Sequence, residues 1–135
     1  MQPYETQTFP ATGPNGEPLF VVVALHYDED GDSSYYRDPE RYAGLPDAAR
    51  KEYEAQDAAR LAALYRGDWH YCGVVATVYG ADLAPVADFA VWGFESDDPD
   101  LRNLREHHVT LEAIADACRE LAEAHRAACA DVATV

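Results

Sequence analysis

Lysine is nearly absent from this chain of 135 residues: Lys51 stands alone beside nine arginines. Against those ten bases are 25 acids, giving a net charge of −15 at pH 7. A surface of that sign repels phosphate backbones and anionic membranes, and no basic patch interrupts the acids, so direct nucleic-acid binding is not expected. No run of about 18 apolar residues exists to form a membrane span. Met1-Gln2-Pro3-Tyr4-Glu5 lacks the basic-then-apolar pattern of a secretory signal, and a cytoplasmic protein is expected. The three cysteines, Cys72, Cys118 and Cys129, are too few and odd in number for a disulfide framework and read as reduced thiols. The glycine-rich stretch Gly13-Pro14-Asn15-Gly16-Glu17-Pro18 has neither the lysine nor the following Ser/Thr of a phosphate loop.

What is present suits one α+β domain over residues 1–135, with 48% hydrophobic residues to fill its core. Residues 1–18 are turn-rich. Tyr4 to Phe9 alternates like a strand and is expected to stop at Pro10, and Gly13 to Gly16 supplies a turn. Leu19 to Tyr27 is apolar at successive positions, the mark of a central strand buried on both faces. These two segments are placed to form a hairpin. Tyr35 to Tyr42 reads as loop. Pro46 opens a helix that runs to Arg66 and stops at Gly67, with Ala49, Tyr53, Leu61 and Leu64 as its apolar face. Trp69 to Tyr79 and Val86 to Phe94 are strands joined by a short link, hence antiparallel. Asp98 and Pro99 start a short helix over Asp100 to His107. A longer helix from Thr110 carries Leu111, Ile114, Ala115, Cys118, Leu121, Ala122, His125 and Cys129 at spacings of three and four. The expected architecture is a three- to four-stranded, mostly antiparallel sheet with both main helices on one face.

No catalytic motif emerges, and no cofactor is called for. Asp28-x-Asp30-x-Asp32 begins like a calcium loop, but Ser33 and Pro39 replace its required glycine and glutamate. Cys118, His125 and Cys129 share a helix face, where packing explains them as well as zinc does. His70 and Cys72 share a strand face, without the local signature of a nucleophile.

The segment Trp69-His70-Tyr71-Cys72-Gly73-Val74-Val75-Ala76, with Leu83, Trp92-Gly93-Phe94-Glu95-Ser96-Asp97 and a later acidic helix, resembles small, uncharacterised proteins of phages and mobile elements. Those carry an aromatic-x-Tyr-x-Gly strand and a Trp-Gly-Ile-Glu-Ser-Asp turn. Phe94 stands where they usually have isoleucine. The resemblance spans residues 68–105; it implies a mobile-element origin and no particular activity.

Solubility or a salt-rich host would account for some acidity, and a GC-rich genome for the scarcity of lysine but not for the excess of acids. The acids gather in three places: Asp28, Glu29, Asp30 and Asp32; Glu95, Asp97, Asp98 and Asp100; and Glu112, Asp116 and Glu120 on one helix. Tyr35 and Tyr36 adjoin the first, and exposed aromatics beside acids suit a basic protein surface. The expected function is therefore an acidic, anti-CRISPR-like inhibitor that occupies the basic nucleic-acid-binding surface of a host defence complex. It requires the three acidic regions to meet in space. A small-molecule-binding domain or enzyme, and a phage accessory protein acidic only for solubility, are the competing readings.

Overall fold

The computed structural model describes residues 2–133, with side chains through residue 130. It is an α+β fold built on a four-stranded antiparallel meander, β1 (Glu5–Thr12), β2 (Pro18–Tyr27), β3 (Tyr71–Tyr79) and β4 (Pro85–Glu95), in that spatial order. Two helices, α1 (Asp47–Arg66) and α2 (His108–Ala133), complete it. Among the described residues no helix is long and apolar enough to cross a membrane.

β1 does not stop at Pro10. It continues to Thr12, with Pro10 opposite Phe20. An edge strand has one unpaired side, so proline's missing N–H costs it no ladder bond. The hairpin turn closes through the Gly13 N–H, which donates to the Glu17 carbonyl at 2.8 Å, and Gly16 sits at φ +80°.

One sheet face carries the core. Leu19, Val21, Val23 and Leu25 on β2 lie beside Val78, Ala76, Val74 and Cys72 on β3, with Phe9 from β1. α2 covers them with Val109, Ala113 and Ala117, whose small side chains bring the helix close, and Leu101 and Leu104 close one end. Of the expected helical stripe, Ile114 and Leu121 pack against the core, while Leu111 is 53% exposed and His125 and Cys129 are exposed, so the buried side is shifted toward Val109, Ala113 and Ala117. An alanine-rich helix offers more than one stripe, and its entry selects the one that is buried. Here Thr110 Oγ1 donates to the Leu104 carbonyl at 2.6 Å, and the Val109 N–H donates to His107 Nδ1 at 3.2 Å. The short helix expected over Asp100 to His107 is only a 3₁₀ turn, Pro99–Arg102, capped by Asp98.

His107 is 5% exposed, and burial, with His108 stacked on it at 4.6 Å, holds its pKa below the usual imidazole range. Nδ1 is an acceptor only when the ring is neutral. The unfolded chain thus takes up the proton first. This contribution to stability is complete above about pH 6.5 and is lost as pH falls through the depressed native value. His70, lowered by burial, acts in the same direction. Thermal unfolding should show the midpoint dropping between about pH 7 and 5, and His107→Asn, which keeps a short acceptor, should flatten part of that slope. An unchanged slope in the variant would remove His107 from this account.

α1 does not join α2 on the core face. It begins after Pro46 and ends at Gly67, at φ +81°, as its sequence implies. Yet Tyr53 is 48% exposed, Ala49, Leu61 and Leu64 are only half-buried, and Asp57 is its single buried residue. Polar contacts hold it instead. Asp57 pairs with Arg41 at 2.6 Å and accepts the Tyr42 hydroxyl, both from the segment expected to be loop. That segment forms two 3₁₀ turns, Ser34–Arg37 and Pro39–Tyr42.

Among the described residues the opposite sheet face is covered at one end only, where Trp69 and Tyr71 lie beneath Arg60 of α1, Tyr36 and Gly31, although β2 reads as apolar on both sides. It presents Phe20, Val22 and Ala24 beside Tyr79, Thr77 and Val75. A bulge in β4, with Gly93 at φ +87°, lays the Trp92 indole over Gly73, where a Cβ would sit 2.2 Å from the ring.

Candidate partner-binding surface

Antiparallel register decides which acids are neighbours. Tyr27, Cys72 and Phe94 are aligned across β2, β3 and β4, and the Asp28 N–H donates to the Tyr71 carbonyl at 2.9 Å. The loop after β2 and the turn after β4 therefore leave the same end of the sheet. Asp28, Glu29, Asp30 and Asp32 are brought there together with Glu95, Asp97, Asp98 and Asp100. α2 starts at this end too, since Phe94 lies 5.1 Å from His107 and 5.8 Å from His108. Glu112, Asp116 and Glu120 then step away at about 6 Å each. Two of the three acidic regions meet; the third does not join them.

Several of these acids already have partners. Asp28 Oδ1 accepts the Asp30 N–H, Asp32 accepts that of Ser34, and Asp98 that of Asp100. Such bonds shape the turns and leave the charges in place; the Ser34 N–H also holds the Asp32 carboxyl below its usual range. Asp116 pairs with Arg119. Glu95 and Asp97 are gripped by Arg60, whose Nη2 lies 2.7 Å from Glu95 Oε1 and 2.6 Å from Asp97 Oδ1. The hydrogen bond to Asp97, then that to Glu95, raises the Arg60 pKa further, and Arg60 holds Asp97 below the usual carboxylate range. The Tyr36 hydroxyl donates to Glu95; burial first, and then this bond, pushes it up to about 12. Tyr36 is thus half-buried in a network, while Tyr35 is 59% exposed against Arg41.

Arg60 is the residue the linear reading missed. Its guanidinium lies 3.9 Å from the Trp69 ring centroid, and the Trp69 indole N–H donates to the Arg60 carbonyl at 3.0 Å. Trp69 itself is 2% exposed and packs edge-on to Tyr36 and Tyr71. Nothing in the spacing of Arg60, Trp69, Glu95 and Asp97 foretells this junction, because it forms between separate elements.

Two clefts border the acidic end. One, of about 610 Å³, is lined by Tyr4, Glu5, Tyr27, Asp68, His70 and Asp98 among others; the rings of Tyr4, Tyr27 and His70 pack at 4.5–5.1 Å. Glu5 and Asp68 are acids that the sequence did not place here; Asp68 is paired with Arg66 at 2.9 Å, and Arg102 lines the same cleft. The other, of about 440 Å³, is lined by Tyr27, Asp28, Glu29, Asp30 and Trp92. Tyr27 borders both and is 50% exposed. Charge and aromatic surface thus alternate across this end, an arrangement that accepts cationic side chains through ion pairing and ring faces.

The arrangement does not favour catalysis at Cys72. The thiol is fully buried, and burial raises its pKa, the reverse of an activated nucleophile. Among the described residues no three His, Cys, Asp or Glu side chains are grouped to hold a metal ion. Cys129 Sγ lies 3.6 Å from His125 Nε2 on an exposed stretch of α2. No family model, no curated protein and no solved structure matches this chain.

Proposed function

We propose that the chain is an acidic protein-binding inhibitor whose docking surface is the sheet end built from the loop after β2 and the turn after β4. The meeting of all three acidic regions expected from the sequence does not occur, since Glu112, Asp116 and Glu120 step away along α2. What carries this reading is the narrower convergence of Asp28, Glu29 and Asp30 with Asp98 around the half-exposed Tyr27, with Asp100 on the adjoining turn. Isolated surface acids would serve solubility equally well. Acids gathered beside exposed aromatics match a partner that presents arginine and lysine. The nucleic-acid-binding groove of a host defence complex has that chemistry. Together with the resemblance of residues 68–105 to mobile-element proteins, this makes an anti-CRISPR-like role the favoured one.

The surface mimics duplex DNA only in part, because DNA carries about one charge per 1.7 Å of axis. Glu95 and Asp97 together add one net charge rather than two, because Arg60 holds them both. The test is co-purification with a nuclease or surveillance complex, followed by a salt series. Binding should weaken steeply as salt rises, and the partner should lose nucleic acid when the protein is bound. Capture that persists unchanged at high salt, or a partner that retains its nucleic acid, would overturn the proposal.

A further inference from the structure

The uncovered sheet face points to a partner of different chemistry. We infer that it is the self-association surface of this chain, two copies packing sheet against sheet about a two-fold axis. The face carries Phe20, Val22, Val75 and Tyr79 around the buried Ala24, with Phe20 42% exposed, and ends at Trp92, 46% exposed, which borders the Asp28–Asp30 cleft. The helix that spans the core lies on the opposite side, and α1 is pinned at one end through Arg60 and Trp69. β2 and β3 are thus written for burial on both sides and, among the described residues, receive it fully on one and only at the Trp69–Tyr71 end of the other.

Charge distribution identifies the occupant. The protein carries 25 acids, yet the strand positions on this face hold one free carboxylate, Asp88, besides Glu95, which Arg60 binds. None of these positions is Lys or Arg. A basic partner finds almost nothing to pair with here. A second copy meets little charge on the face itself, since the acids lie around it: at the sheet end, in the turns at Glu17 and Asp82, and on α1 and α2. Size agrees. Four strands about 4.8 Å apart and about 27 Å long span roughly 500 Å², or about 1,000 Å² over two copies before side-chain relief is added. That reaches the lower range of specific interfaces. Sheets stack face to face at about 10 Å, which side chains of this size fill.

The surface differs from the acidic end in its response to salt, which separates failure of one idea from failure of the other. Each copy carries −15, so screening should tighten the dimer, whereas it loosens attachment to a basic partner. Sedimentation velocity over a concentration series, at low and high salt, is the experiment. The intact chain should sediment as a dimer that dissociates on dilution, with a lower dissociation constant at high salt. Ala90→Glu places a charge from each copy in the interface; because Ala90 is exposed in the single chain, the fold should tolerate it. It should raise the dissociation constant at least about 100-fold. Thr8→Glu, on the exposed edge strand, is the second variant if the first does not fold, as judged by circular dichroism. Leu111→Glu, on the solvent side of α2, should leave the dimer unchanged. A monomer at every concentration and salt, or a dimer indifferent to the folded face variants, overturns the inference.

Discussion

Trp69→Ala should destabilise the protein by about 3–5 kcal/mol, the range for removing a large aromatic from a packed site. Trp69 is 2% exposed, lies under the Arg60 guanidinium, donates to the Arg60 carbonyl and packs against Tyr36 and Tyr71. Its loss removes packing and the attachment of α1 to the sheet, leaving α1 held by the Asp57 contacts to Arg41 and Tyr42. Since α1 buries so little of its own surface, its amides should then exchange faster than in the parent chain. Arg60→Ala should cost less, about 1–2 kcal/mol, because Glu95 and Asp97 are partly solvated and water replaces part of the interaction. Their partial coupling should appear in a double-mutant cycle as a cost smaller than the sum. If α1 amides in Trp69→Ala exchange as slowly as in the parent chain, α1 has another anchor and this account of its attachment fails.

The combined variant Asp28→Asn, Asp30→Asn, Asp98→Asn and Asp100→Asn should bind a basic partner roughly 30- to 1,000-fold more weakly at low salt, taking about 0.5–1 kcal/mol per rim charge. Asparagine still accepts the Asp30 and Asp100 N–H bonds that shape the two turns, so the charge leaves while the backbone stays. Titration calorimetry against the co-purified partner, with poly-arginine as a reference polycation, gives the numbers. The matched variant Glu112→Gln, Asp116→Asn and Glu120→Gln should lose less than about tenfold, because those charges lie along α2, away from the sheet end. The reverse ranking would move the docking surface onto the helix.

The two helices show how unevenly these features could be read in advance. The bounds of α1 were legible, since Pro46 and Gly67 act through their own backbone preferences and need no tertiary partner. Its location was not. Ala49, Tyr53, Leu61 and Leu64 recur as a core-facing stripe would, yet Tyr53 projects into solvent and Asp57 is the buried residue. A weakly amphipathic helix can be held by a few strong polar contacts, and periodicity carries no record of Arg41, Tyr42 or Trp69. In α2 the period was right and the phase was off by part of a turn: Ile114 and Leu121 do meet the core, but the capping contacts of His107 and Thr110 turn Ala113 and Ala117 furthest inward and Leu111 outward. Pro10 misled for a related reason: proline ends a central strand but is tolerated on an edge, and edge status depends on the whole sheet.

The candidate surface divides in the same way. Charge excess, the local acidic runs and the aromatics beside them are properties of composition and near neighbours, so the linear chain determined them, and the proposal of a basic partner starts from them. Which acids act together is a property of register. The meander brings the loop after β2 and the turn after β4 to one end and adds Glu5 and Asp68, while α2 carries Glu112, Asp116 and Glu120 away. Arg60 then offsets one of the two charges of Glu95 and Asp97. Coulomb interactions follow distance in space, and only the folded chain sets those distances.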